Sequence, residues 1–214
     1  MHSPASRRNS VSLADVESSG GHVEQLKRAA ATPGSVPTSE VLRSLVALEK
    51  QRIEPDQWLD TLTRHKWTVV YTASSKEVTA AVKGLAGKSG GYFPIVTCQV
   101  IDPKESTFEN GVFIPTLAHI TFKGPCLLRG RQLTLDVQTM SLGVGPWRWS
   151  LEINKAARPI DTIPPEKARK LPFFLYSYVD DDILVARGRS GGLALYARVD
   201  SEWQMSKGVA AVYR

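Results

Sequence analysis

The densest run of chemistry-bearing side chains is YVDDDILVARGRSGGLALYAR, Tyr178 to Arg198, where three consecutive aspartates stand five residues ahead of an arginine. Adjacent carboxylates suggest a cation site. A calcium loop, however, needs alternating DxDxDG ligands and a distal glutamate, and neither is present. Aspartates between two apolar runs also suit a tight turn, because they accept backbone N–H groups and tolerate left-handed angles. Asp180, Asp181 and Asp182 are therefore read as a turn. Acid–base chemistry has three candidates elsewhere, Tyr71, His119 and Asp136, and nothing in their spacing brings them together. The four histidines form no metal-ligand pattern, and no nucleophile elbow, phosphate loop or dinucleotide fingerprint occurs. The expectation is a protein without catalytic residues, metal or cofactor.

These residues sit on segments with a clear period. In WTVVYTAS, Trp67, Val69 and Tyr71 alternate with Thr68, Val70 and Thr72; in PIVTCQVI, Val96, Cys98 and Val100 alternate with Thr97 and Gln99. LTLDVQT sets Leu133, Leu135 and Val137 on one face. WRWSLEI does the same with Trp147, Trp149, Leu151 and Ile153, a pattern that places both tryptophans in a core. With HITF, PFFLYSYV, ILVAR and GLALYARV, separated by FENG, KGP, RGR and RSGG as turns, the count is about eight strands. Long helical patterns between strands are missing, which disfavours parallel α/β folds. The predicted fold is mostly β, an antiparallel barrel of about eight strands closed by pairing of its first and last strands. Val41, Leu42, Leu45 and Leu48 recur at helical spacing and predict a short N-terminal helix beginning near Thr38 or Ser39.

Residues 1–37 are Ser-rich and polar and are read as a flexible tail or a targeting segment, with 38–214 as the single folded domain. RRNSV would suit a basophilic kinase at Ser10, but so short a match arises readily by chance. RPIDTIPPEKARKLP reads as a long surface connection. A net charge of +6 favours anionic surfaces. The cations are scattered and not interleaved with aromatics, so nucleic acid is not the expected partner. Cys98 and Cys126 make neither a disulfide scaffold nor a CxxC pair, which indicates a reducing compartment. No window approaches the length of a spanning helix. A soluble or peripheral protein is expected.

HKWTVVYTAS, with Trp67, Tyr71 and Thr72, and the later element Tyr178, Val179, Asp180, Asp182, Ile183, Val185, Arg187, Gly188 and Gly191 together resemble the plastid lipid-associated proteins, or plastid fibrillins. The likeness runs from about Glu40 to Arg198, with His65, Leu184 and Ala194 departing from the family pattern. It implies a lipocalin-like barrel that binds, stores or carries small lipophilic molecules such as quinones, fatty acids or carotenoids. It also implies a chloroplast location at plastoglobules, thylakoids or stroma. On that reading the dry-face residues Val69, Tyr71, Val96, Val100, Phe122, Leu135, Val137, Trp149, Leu151, Leu175 and Leu195 are the ligand-binding candidates. Peripheral contact with a membrane or lipid droplet goes with it, and the alternative is a structural coat or partner-binding protein with no lumen ligand. Trp67, Asp180, Asp182, Arg187 and Gly188 are the structural candidates. Arg187 shares a face with Ile183 and Val185, and closure of the barrel predicts that its guanidinium stacks on Trp67 and plugs one end.

Overall fold

The computed structural model describes residues 13–51, 58–85, 87–115, 117–153, 160–163, 166 and 170–212, with side chains from Gly20 onward. Ser10 lies outside these residues, as do seven of the fifteen residues of the connection, Lys167 to Arg169 of KARK among them. Among the described residues there are eleven strands and five α-helices. Helices α1 (Leu13–Ala31), α2 (Thr38–Gln51) and α3 (Trp58–Arg64) precede β1 (Lys66–Ala73), and α4 (Ser75–Val82) follows it. Then come β2 (Gly91–Tyr92), β3 (Val96–Asp102), β4 (Thr107–Ile114), β5 (Ala118–Arg129), β6 (Gln132–Leu135), β7 (Thr139–Val144) and β8 (Trp147–Glu152). The chain ends with β9 (Phe173–Val179), β10 (Ile183–Gly188), β11 (Leu193–Val199) and α5 (Ser201–Ser206).

Eight strands close an antiparallel barrel in the order β4-β3-β1-β11-β10-β9-β6-β5, with β5 returning to β4. First and last strands pair as the periodicity predicts, Trp67 opposite Arg198 and Val69 opposite Tyr196. The expected strands and turns differ in three places. FENG is no turn: Asn110 and Gly111 lie mid-strand in β4, opposite Gln99 and Cys98, and the reversal falls earlier, at Ser106 with φ 55°. WRWSLEI is no barrel strand. It forms β8, which pairs with β7 as a hairpin carried off the barrel by the long strand β5. Asn-Gly is a strong hairpin signal, but the paired neighbours on both sides of β4 override it here. KGP likewise lies inside β5.

Two dry layers explain the burial pattern. Trp67, Ile101, Phe108, Cys126, Leu133, Tyr176, Leu184, Ala186 and Tyr196 fill the barrel interior, joined by Trp58 and Leu62 of α3. Outside, α1 and α2 cover β1, β10 and β11 through Leu26, Leu42, Leu45, Leu48, Ile183, Val185, Leu193 and Leu195. A third cluster packs Val209 and Trp203 against Cys98, Phe113 and Val199. Helix α1 falls within the stretch read as a tail, and Leu26 and Ala29 are fully buried, so this part is packed structure. Its apolar side explains why. The helix of Val41, Leu42, Leu45 and Leu48 forms as the spacing predicts. No helix among the described residues is long and apolar enough to cross a membrane.

The aspartate run makes the turn between β9 and β10. Asp180 Oδ1 accepts the N–H groups of Asp182 at 2.9 Å and Ile183 at 2.8 Å, while Oδ2 accepts from Tyr178 at 3.0 Å and pairs with Lys27 at 2.9 Å. Lys27 also reaches Asp182, tying α1 to the turn. Burial raises the Asp180 pKa, but Lys27 and the two backbone N–H groups outweigh it and hold the carboxyl below its usual range. Gly191, at φ +86°, takes the left-handed position of the next turn; Gly188 ends β10 without such an angle.

Arg187 does share its face with Ile183 and Val185, but that face points outward to α2. Its Nε and Nη2 meet the two oxygens of Glu49 at 2.5 Å each, and Nη1 donates to the Gly191 carbonyl. Trp67 faces the opposite way, into the barrel, with its ring edge-on to His65. The plug through Trp67 is therefore corrected to a staple between α2 and the barrel wall. An arginine on a dry strand needs an anion, and a helix covering the outer face supplies one.

Candidate binding site

A row of interior residues crosses four strands. Trp67 of β1 stands opposite Gln99 of β3, Gln99 opposite Asn110 of β4, and Asn110 opposite Phe122 of β5. Beside this row lies a partly open cavity of about 260 Å³. Its apolar walls are Ile101, Phe108, Phe122, Leu133, Leu135, Val137 and Phe174, and its polar members include Gln99 and Asn110. The rest of the interior is filled by large side chains, Trp67 and Tyr176 foremost. The barrel interior is thus partly filled and partly open.

Polar atoms on the inner face are incompletely satisfied. Asn110 Oδ1, Trp67 Nε1 and Tyr176 OH are buried without a hydrogen-bond partner among the described residues. Such groups cost free energy unless something meets them. Burial pushes the Tyr176 phenol well above its ordinary pKa, so it stays a protonated donor. Asn110 lines the cavity itself.

The cavity wall continues outside the barrel. Phe122 faces Met140 on β7, and Met140 faces Leu151 on β8; likewise Ile120 faces Leu142, and Leu142 faces Trp149. Strands β5, β7 and β8 thereby extend the inner face as an open apolar apron, where Trp147 is 66% and Trp149 54% exposed. The other side of the apron is polar. There Arg148 Nη1 meets His119 Nε2 at 3.1 Å, and the His119 ring lies over Gly143 so closely that a Cβ would fall 2.1 Å from it. Burial, then the Arg148 charge, lowers the His119 pKa.

The ligand candidates divide accordingly. Phe122, Leu135 and Val137 line the cavity, and Val69 packs in the interior. Tyr71, Val96, Val100 and Leu195 do not face the lumen: Tyr71 and Leu195 lie under the helices and Val96 and Val100 in the third cluster. Leu175, opposite Arg187, is also on the outer face. Trp149 and Leu151 are exposed on β8, which corrects the expectation that both tryptophans of that strand belong to a core. For β1 the cause is local. A register shift between Val69 and Tyr71 exchanges the faces, so Trp67 and Val69 point inward while Tyr71 points outward and donates to the carbonyls of Thr38 and Ser89.

For β3 the cause is the outer cover. Thr97 and Gln99, the polar side of the alternation, are buried inside the barrel, and Val96, Cys98 and Val100 turn outward beneath the C-terminal segment. Gln99, Ile101, Phe108, Asn110, Leu133 and Phe174 line the cavity without having been singled out from the sequence as site residues; cross-strand pairing to Phe122 is the signal that identifies Asn110. Tyr71, His119 and Asp136 occupy different surroundings: under α2, stacked on Phe113, and bonded by Gln138. Among the described residues no group of three or more His, Cys, Asp or Glu side chains could hold a metal ion.

A larger groove of about 700 Å³ lies outside, between the end of α1 and α5, floored by Val70, Ala197 and Val199. It is a wide surface trough, and Lys27 on its rim is already paired with Asp180 and Asp182. The interior cavity, with apolar walls and an unbonded amide oxygen, is the better candidate for a ligand site. No family model matches the sequence, and no curated protein matches it significantly.

Proposed function

We propose that the protein is a non-catalytic holder of one small lipophilic molecule, seated in the barrel with its polar end at Asn110 and Gln99 and its apolar body against Phe122, Leu135 and Val137. The observation that carries this reading is the apolar cavity bordered by a buried, unbonded Asn110 oxygen. A space of 260 Å³ takes about nine water-sized groups, so a longer chain would continue along the apron. Burying nine methylenes is worth roughly 7 kcal/mol before immobilisation, consistent with weak to micromolar binding once apron contacts are added. Quinones, fatty acids and carotenoids are the classes implied by the resemblance to plastid lipid-associated proteins, which also implies a location at plastoglobules, thylakoids or stroma. Nucleic acid is not a proposed partner.

The test is saturable quenching of tryptophan by a soluble quinone or fatty acid. Val137→Trp, which adds about seven heavy atoms to the cavity wall, should abolish saturation. Tyr176→Phe removes an unpartnered hydroxyl, so it should leave stability unchanged or raise it by up to about 1 kcal/mol. Uptake unaltered by Val137→Trp, or no uptake by the unmodified protein, would end this reading.

The exposed apron favours a second reading, a coat on lipid surfaces without a lumen ligand. In that case Trp147→Ser and Trp149→Ser would lower flotation with anionic vesicles while quinone quenching stayed absent throughout.

A further inference from the structure

All six residues of β8 are exposed, and among the described residues the strand pairs only with β7 at the end of the sheet. Gly145 and Pro146 form a two-residue hairpin that sets Val144 opposite Trp147, and the Ile153 N–H donates to the Gln138 carbonyl at 2.7 Å. Antiparallel alternation then turns the backbone groups of Trp147, Trp149 and Leu151 toward β7. Those of Arg148, Ser150 and Glu152 face outward, with no described partner. A strand edge left uncovered beside exposed tryptophans invites another strand, provided its charges meet opposite ones.

We propose that this strand is a pairing surface for a second copy of the chain, β8 against β8, antiparallel about a two-fold axis through Ser150. In that register Arg148 stands opposite the partner's Glu152 on the polar face. On the apolar face Trp149 meets the partner's Leu151, and Trp147 meets the partner's Ile153. Opposite charges and apolar pairs directly across strands are the contacts that stabilise a ladder.

Competing registers are poorer. A one-residue slip sets apolar against polar faces throughout. Sliding two residues toward the hairpin puts Glu152 opposite Pro146, which has no N–H to donate. The charges are placed for the symmetric pairing. The His119 contact holds the Arg148 guanidinium on the polar face and uses one of its five donors, and Glu152 has no ion pair among the described residues. The symmetry lays both aprons on one side of a continuous sheet. Dimerisation does not depend on a lumen ligand.

Sedimentation of the full chain should give a mass that rises with concentration toward twice 23.5 kDa. Oxidised Ser150→Cys should form a disulfide-linked dimer, because directly opposed residues in a hydrogen-bonded pair lie about 5.5 Å apart at Cα, within disulfide reach. Ser141→Cys, one strand further in, should not. Arg148→Glu and Glu152→Arg should each weaken association about tenfold or more, and their combination should restore it to within about threefold of the original. Restoration separates pairing from a folding defect. A single-chain mass at every concentration, equal cross-linking at 141 and 150, or a double reversal no better than the singles would each overturn the proposal. So would a monomer that floats with phosphatidylglycerol vesicles through this strand, which would assign the edge to a lipid surface.

Discussion

Removing the Arg187 side chain tests how the helical layer is fastened to the barrel. Its two bonds to Glu49, 2.5 Å each, and the third to the Gly191 carbonyl join α2 to β10 and the following turn. The arginine is 27% and the glutamate 23% exposed, so solvent screens the pair only partly. Fully exposed pairs contribute well under 1 kcal/mol, while breaking a buried pair costs about 3–5 kcal/mol. An intermediate loss of about 2 kcal/mol is expected for Arg187→Ala and a similar one for Glu49→Ala. For a chain of 214 residues that lowers Tm by about 4–8 °C. The double variant should fall only slightly below either single one, a coupling of about 1.5 kcal/mol in a thermal or urea double-mutant cycle. Glu49→Gln should lose roughly half as much, since it keeps the shape without the charge. Ligand uptake should be unaltered in all four, because α2 covers the outer face and does not line the cavity. Strictly additive losses, or a Tm within about 1 °C of the original for Arg187→Ala, would refute the staple.

Asp180→Ala should cost about 1.5–3 kcal/mol, because the carboxylate accepts two backbone N–H groups and a lysine, whereas Asp181→Ala at the exposed tip should leave the urea midpoint essentially in place. The lowered His119 pKa means the unfolded chain takes up a proton before the folded one does. Stability is therefore full above the ordinary imidazole range near 6.5 and declines as pH falls below it, so Tm should drop between about pH 7 and 5. His119→Gln should flatten that slope, and identical slopes would dismiss the linkage. Burial pushes the thiols of Cys98 and Cys126 up to about 12, so neither should react with iodoacetamide until denaturant is added. Rapid labelling of either in the native protein would contradict their placement.

Period-2 alternation and the absence of long helical patterns were enough to point to an antiparallel barrel closed between its first and last strands, although turn chemistry misplaced two reversals, at FENG and KGP. The aspartate turn and the helix at Val41–Leu48 were legible for the same reason, since neighbours in sequence decide them. Which dry face looks inward was not local information. Val96, Val100 and Leu195 are apolar because other segments cover them from outside, and a register shift at Val70 turns Tyr71 outward; both facts exist only once distant segments dock. Asn110 reached the site because β3 and β5 flank it, against the turn preference of its own Asn-Gly pair. Alternation reports that a side is shielded from water. Only the assembled sheet and its helical cover determine whether lumen, helix or solvent lies beyond it.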